Sequence, residues 1–342
     1  MNKRVSLKDI AGKVGVSTAL VSYVLNGLEK EKRVSPAVVE KIRAAARELN
    51  YKPNQIASSL RSGSTNTLGL IVADIANPFF GQLARVIEDE ASRFQYVVIL
   101  GSSDEDCAKS ASLIDTLLDR QVDGFILVPS EGCAEQVELL VSRNIPVVLT
   151  DRYLPGIPAH AVVLDNYGAT REAVSHLVGN GYRRIALVAY ASSLVHMQER
   201  IRGYCEAMDA AGMGANKLVE TVSYDSAKAD TEKLVAALVK EQKTEAVIFA
   251  TNALTLFGLY AVKKHNFRVP EELAVIGFDG NEAFDFFTPP LTYLRQPVEA
   301  IGRESVRILL EQIRGELHQT VHLELKHQLV ERGSSGKSPG VD

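Results

Sequence analysis

Apolar residues in this chain change their spacing near residue 66, and the change divides it in two. Up to Leu60 they recur at intervals of three and four, the period of helices that bury one face. From Thr67 onward they gather in short blocks separated by amphipathic stretches, the pattern of buried parallel strands alternating with helices.

In the first segment Leu7, Ile10, Ala11 and Val14 mark one helix, with Ser6 and Asp9 as a loose capping box and Gly15 as the turn. Val21, Val24 and Leu25 mark a second, capped by Ser17, with Val16 closing over Val21 as a staple. They leave Thr18, Ala19, Ser22, Tyr23 and Asn26 on the opposite face. A third helix takes Ser35 as cap and Pro36 at its first position, with Val38, Ile42, Ala45 and Leu49 on one side. Two short helices around a glycine turn, the second bearing a small polar face, form the helix-turn-helix pattern. A plain three-helix bundle fits the same spacing, and charge separates the two readings. The chain is −4 overall, yet residues 1–62 are about +7 and the remainder about −11. A basic head on an acidic body suits phosphate-backbone binding and argues for nucleic acid.

In the second segment, 68–72, 96–100, 124–128 and 146–149 read as buried strands, followed by a second series at 184–189, 218–224, 246–250 and 274–278. The likeness of Asp123-Gly-Phe-Ile-Leu-Val to Glu245-Ala-Val-Ile-Phe-Ala implies two lobes of related design. Ligands of open parallel sheets sit off the carboxyl ends of strands, so a cleft between the lobes is the expected site. Polar and aromatic residues past strand ends are its candidates: Asp74, Phe79, Ser103 (with Asp104), Asp151, Arg152, Tyr224, Asn252 and Asp279, joined by Arg200, which opens a helix. Such a set offers hydroxyl partners and an aromatic face. No GxGxxG, P-loop, HExxH or GxSxG occurs, and the histidines are scattered, which gives an enzyme reading little chemistry.

The run Leu7-Lys8-Asp9-Ile10-Ala11, then Gly15-Val16-Ser17, Val21-Ser22 and Val24-Leu25-Asn26, with Tyr51-Lys52-Pro53 and Ile56-Ala57-Ser58-Ser59-Leu60 beyond, resembles the lactose/galactose-repressor (LacI-GalR) family, and the resemblance extends to about Arg332. It implies a helix-turn-helix head at 1–53, a hinge helix and linker at 54–66, and a two-lobed α/β sensor resembling periplasmic binding proteins at 67–332. Lobe 1 is expected at about 67–163 and 293–326, lobe 2 at about 164–292 and 327–332, with a disordered tail at 333–342. It further implies a homodimeric transcriptional repressor on a pseudo-palindromic double-stranded DNA operator, modulated by a small-molecule effector and needing no cofactor. The DNA-contacting set carried over is Leu7, Ser17, Thr18, Ala19, Ser22, Tyr23 and Asn26, plus Ala57 and Leu60 of the hinge, where leucine wedges between base pairs. Arg200, Asp279, Asn252 and Asp151 match effector-contacting positions, and Tyr224 an aromatic wall.

Departures from the family pattern qualify the picture. Leu20 and Tyr23 stand where threonine and arginine are frequent, so an unusual half-site is expected. Ala253 follows Asn252 where an aspartate is common; with Arg152, Arg200 and His196 this leans the effector from a neutral sugar toward a sugar acid or sugar phosphate. A protein partner or nucleobase-type ligand is the alternative co-effector, and a sugar-binding protein or enzyme without DNA function the remoter reading. The start of the chain shows no leader and no apolar run reaches membrane-spanning length, so a cytoplasmic location is expected. Cys107, Cys133 and Cys205 lack metal-ligand spacing, so neither a metal site nor a disulfide is expected.

Overall fold

The computed structural model describes residues 5–51, 64–280 and 282–337. The chain divides into a head, residues 1–65, and a body, residues 66–342.

The head comprises α1 (Leu7–Val14), α2 (Thr18–Leu25) and α3 (Pro36–Glu48). The Ser6 backbone N–H and hydroxyl both donate to Asp9 Oδ2 at 2.7 Å, which starts α1. Gly15 ends it in the left-handed region, φ 75°, a geometry glycine adopts without Cβ strain. Ser17 Oγ then accepts from the Leu20 N–H at 3.2 Å and opens α2. Ile10, Ala11, Val21, Val24, Val39, Ile42, Ala45 and Ala46 form the buried core, with Leu7, Leu20 and Leu25 packed partly against it. Each fully buried aliphatic side chain contributes about 1.5–3 kcal/mol to holding the three helices together. Ser35 occupies the cap position of α3 but its side chain makes no capping bond, contrary to expectation; Pro36, with no N–H to satisfy, sets the start instead.

Lobe 1 of the body is built from β1 (Thr67–Val72), α4 (Pro78–Arg93), β2 (Val97–Ser102), α5 (Cys107–Asp119), β3 (Gly124–Leu127), α6 (Ala134–Ser142), β4 (Val147–Asp151) and β5 (His160–Leu164). The chain crosses to lobe 2 for α7 (Asn166–Gly179), β6 (Ile185–Tyr190), α8 (Val195–Ala210), β7 (Leu218–Val222), α9 (Ala227–Lys240), β8 (Ala246–Phe249), α10 (Asn252–His265), β9 (Ala274–Phe278) and β10 (Thr292–Arg295). It returns for α11 (Val298–Ile313) and β11 (His322–Leu325), and ends in lobe 2 with β12 (Gln328–Val330). The sheets run β11-β5-β4-β3-β1-β2 and β12-β10-β9-β8-β6-β7, parallel except where β12 meets β10. The central strands of each sheet are buried on both faces, which explains apolar runs rather than alternation, whereas β2 and β7, expected to be buried, are edge strands and partly exposed.

Several expected boundaries move. Residues 293–295 belong to lobe 2, because Tyr293 and Leu294 pair in register with Gly277 and Phe278. The crossing falls at Gln296–Pro297, and the prolines at 289 and 290 lead into β10 rather than out of the lobe. The expected disordered tail is ordered at its start: Ser334 and Ser335 are fully buried, and the Ser334 hydroxyl donates to the Val275 carbonyl (2.6 Å) while accepting from the Thr292 N–H (2.8 Å). Arg200 lies in the middle of α8 instead of opening a helix.

Candidate functional site

The carboxyl ends of both sheets face each other across a polar cleft. Asp151 closes β4 and Asp279 follows β9, and both hold left-handed backbone, φ 67° and 62°. A non-glycine residue there costs on the order of 1 kcal/mol or more, a strain that aims both carboxylates into the gap.

Two arginines answer them. Arg152 donates to both Glu105 oxygens, 2.7 and 2.6 Å, with Asp151 at 3.6 Å from its Nε. Arg200, in α8, donates from Nε to Asn166 Oδ1 (2.8 Å) and from a terminal nitrogen to the Ala250 carbonyl (2.5 Å), and stacks 3.6 Å over the Phe278 ring. Gln296 donates to Asp279 Oδ1 at 2.7 Å from the crossover. Tyr224, tilted against Tyr190 with ring centres 5.3 Å apart, reaches across the lobes to Asp74 at 3.3 Å. A second inter-lobe contact has Glu131 accepting from the hydroxyls of Ser192 and Ser193 and from the Ser193 N–H (3.2 Å). The cavity between these lobe-to-lobe bonds, about 70 Å³, holds room for a few water molecules.

Electrostatics follow from burial. Desolvation raises Asp279 to about 6 despite attraction from Arg200 and the Gln296 bond, and raises Asp151 despite Arg152 and Arg200. His196 is pushed well below its ordinary value, first by burial and then by the two arginines, so it stands neutral at physiological pH. Three buried polar atoms of this lining have no hydrogen-bond partner among the described residues: Arg152 Nε, Gln296 Oε1 and His196 Nδ1.

The cavity gathers seven of the residues anticipated from sequence: Asp74, Phe79, Asp151, Arg152, Arg200, Tyr224 and Asp279. Ser103 stands apart, buried with its hydroxyl on the Val72 carbonyl and Ser130, because β2 runs two residues further than expected. Asn252 is buried at the start of α10, where its backbone N–H donates to Asp279 and its neighbour Ala253 reaches the cavity. Glu105, Tyr190, Thr251 and Gln296 line it without having been anticipated. Gln296 follows β10, a strand absent from those the sequence led one to expect.

In the head, Thr18, Ala19 and Asn26 are exposed and Ser22 and Tyr23 half-buried along α2. Leu7 packs against the head core, and Ala57 and Leu60 lie outside the described residues.

Two family models match this chain: "Bacterial regulatory proteins, lacI family" over residues 6–54 and "Periplasmic binding protein-like domain" over residues 174–335. The ribose operon repressor of Halalkalibacterium halodurans is 34% identical, with 96% of each chain covered. The chain belongs to the lacI family. Among solved structures this lacI-family repressor is similar to the lac repressor dimer bound to operator and the anti-inducer ONPF, with TM-score 0.85 and 26% identity over 98% of this chain and 100% of that one. It is also similar to a CelR–cellobiose complex, with TM-score 0.69 and 30% identity over 97% and 100%. The lacI-family protein is a DNA-binding transcriptional repressor whose action is modulated by a small-molecule effector, and no helix among its described residues is long and apolar enough to cross a membrane.

Proposed function

We propose that the effector is a neutral sugar bound between the lobes, and that it sets operator affinity by changing how the lobes close. The carrying observation is the set of buried polar atoms in one cavity that make no hydrogen bond to a described residue: a guanidinium N–H that donates, an amide oxygen that accepts, and a ring nitrogen of a neutral histidine that does either. A polyol supplies both roles through each hydroxyl. The charges point the same way. Asp74, Glu105, Asp151 and Asp279 outnumber Arg152 and Arg200, so the cleft has no surplus positive charge for an acid or a phosphate. This reverses the lean toward a sugar acid or sugar phosphate, because Glu105 was missing from that reckoning and His196 is uncharged. Relatives named for ribose and solved with cellobiose support the sugar class.

The working unit is a homodimer. Ile75, Val97 and Leu100 are exposed around the free edge of β2 in lobe 1, and Tyr260 and Phe286 in lobe 2, apolar area that a second copy would cover. Thr18, Ala19, Ser22, Tyr23 and Asn26 then read a major groove, and Ala57 and Leu60 the centre of the operator. The test is anisotropy of labelled DNA selected from a random library, titrated with the full-length protein with and without sugar. A sugar-dependent affinity change of 5- to 150-fold, about 1–3 kcal/mol of coupling, is expected; an affinity indifferent to every sugar that binds would refute the reading.

A further inference from the structure

Cys107 and Cys133 come from different helices but share one spot on the rim of lobe 1. Cys107 is the first residue of α5, whose start is capped by Asp106 accepting from the Ala108 and Lys109 N–H groups. Cys133 immediately precedes α6. The Cys107 thiol donates to the Gly132 carbonyl at 3.3 Å, one residue from Cys133. Gln136 of α6 fastens the two starts together, its Nε2 donating to the Cys107 carbonyl at 2.7 Å and to its sulfur at 2.9 Å. The Cys133 thiol, buried to 2% exposure, faces the Cys107 thiol and the Ser110 hydroxyl, and burial pushes it up to about 11. Cys107 is half-exposed, while Cys205 lies in α8 of the other lobe.

We propose that Cys107 and Cys133 form an oxidation site that a peroxide converts to a disulfide within lobe 1. The accessible thiol reacts first: the Cys107 sulfur attacks the peroxide, the O–O bond breaks, and a sulfenic acid and water result. Cys133 sulfur then attacks that sulfur; the S–O bond breaks as the S–S bond forms, and the hydroxyl leaves as water with the Cys133 proton. The thiols together give up two electrons and the peroxide takes them. A half-exposed thiol beside a buried resolving partner is the arrangement of reversible redox sites.

The position gives the bond a consequence. Cys107 lies two residues after Glu105, which clamps Arg152, and Cys133 two residues after Glu131, which contacts Ser192 and Ser193 of lobe 2. The disulfide ties the segment that orders the cleft's arginine to the segment that closes the lobes.

The test treats the full-length protein with stoichiometric hydrogen peroxide, counts free thiols and maps non-reduced peptides by mass spectrometry. We expect one thiol to survive, Cys205, and a Cys107–Cys133 cross-linked peptide lighter by two hydrogens that a dithiol reductant reverses. The Cys133→Ser variant should stop at a sulfenic acid on Cys107, trapped by dimedone. Independent over-oxidation of Cys107 in the unaltered protein, or a cross-link between chains through Cys205, would overturn the proposal. Should Cys133→Ser fold poorly, Cys107→Ser gives the second reading: it must leave Cys133 unoxidised at the same dose, and oxidation of Cys133 there would count against the order of events.

Discussion

Replacing Arg200 by alanine tests how the cleft holds its charges. The guanidinium donates to Asn166 and to the Ala250 carbonyl, stacks on Phe278, and attracts the buried carboxylates of Asp151 and Asp279. Removing one partner of a buried ionic group costs about 3–5 kcal/mol, because the remaining charges are stranded. We expect a loss of about 4 kcal/mol at neutral pH, or roughly 10 °C in melting temperature for a unit of this size. The loss should also depend on pH. Asp279 is already raised to about 6 with Arg200 present, and without that cation its folded value climbs further. A carboxyl raised on folding contributes stability that is whole below its unfolded value and lost as pH rises through the folded one. The penalty is therefore largest above about pH 7 and shrinks as pH falls below about 6, where Asp279 gains its proton. Urea unfolding of the full-length protein and the variant, followed by circular dichroism across that range, measures it. A penalty under about 1 kcal/mol, or one constant with pH, would refute the assignment of Arg200 as the neutralising group.

Other residues give independent checks. Sugar affinity of the unaltered protein should weaken as pH falls through about 6, where Asp279 gains its proton and ceases to be a pure acceptor; Asp279→Asn should flatten that profile in calorimetric titrations. Tyr23→Ala should weaken operator binding by about 1–3 kcal/mol while leaving the head's far-ultraviolet circular dichroism unchanged, as expected of a base-contacting side chain. Gly258→Ala in α10 places a Cβ 2.0 Å from Phe249 Cζ, so thermal unfolding should show a loss of about 1–3 kcal/mol from overpacking the lobe 2 core.

How far the sequence carried depended on whether the signal was local. In the head, Gly15, Ser17 and the three-and-four spacing of Ile10, Val21, Val24 and Ile42 are properties of neighbouring residues, and the helices appear close to where that spacing puts them. In the body, the doubly buried strands announce themselves as apolar runs; β5, whose Ala161–Leu164 run is equally apolar and buried, was not anticipated because it follows β4 without the intervening helix that the alternation led one to expect. The edge strands β11 and β12 are half-exposed and take their order from β5 and β10, partners far away in the chain. At the cleft, strand ends pointed to Asp74, Asp151 and Asp279, which the structure brings to one cavity. Glu105 escaped because Asp104 and Glu105 both take left-handed backbone, φ 52° and 58°, a turn that periodicity cannot register. The uncharged state of His196 escaped for a similar reason, because burial by the whole lobe sets it.

Central to the proposed control of this repressor is that the cleft chooses a neutral polyol over a charged one. Thermal unfolding of the full-length protein against neutral sugars, each paired with its uronic acid and its phosphate at equal concentration, addresses this directly, since a ligand of the native state raises the melting temperature by mass action. Stabilisation by a neutral sugar and none by its charged counterparts is expected, with loss of that stabilisation in Arg200→Ala. Stabilisation by an acid or phosphate without its parent sugar, or by no sugar at all, would contradict the proposal.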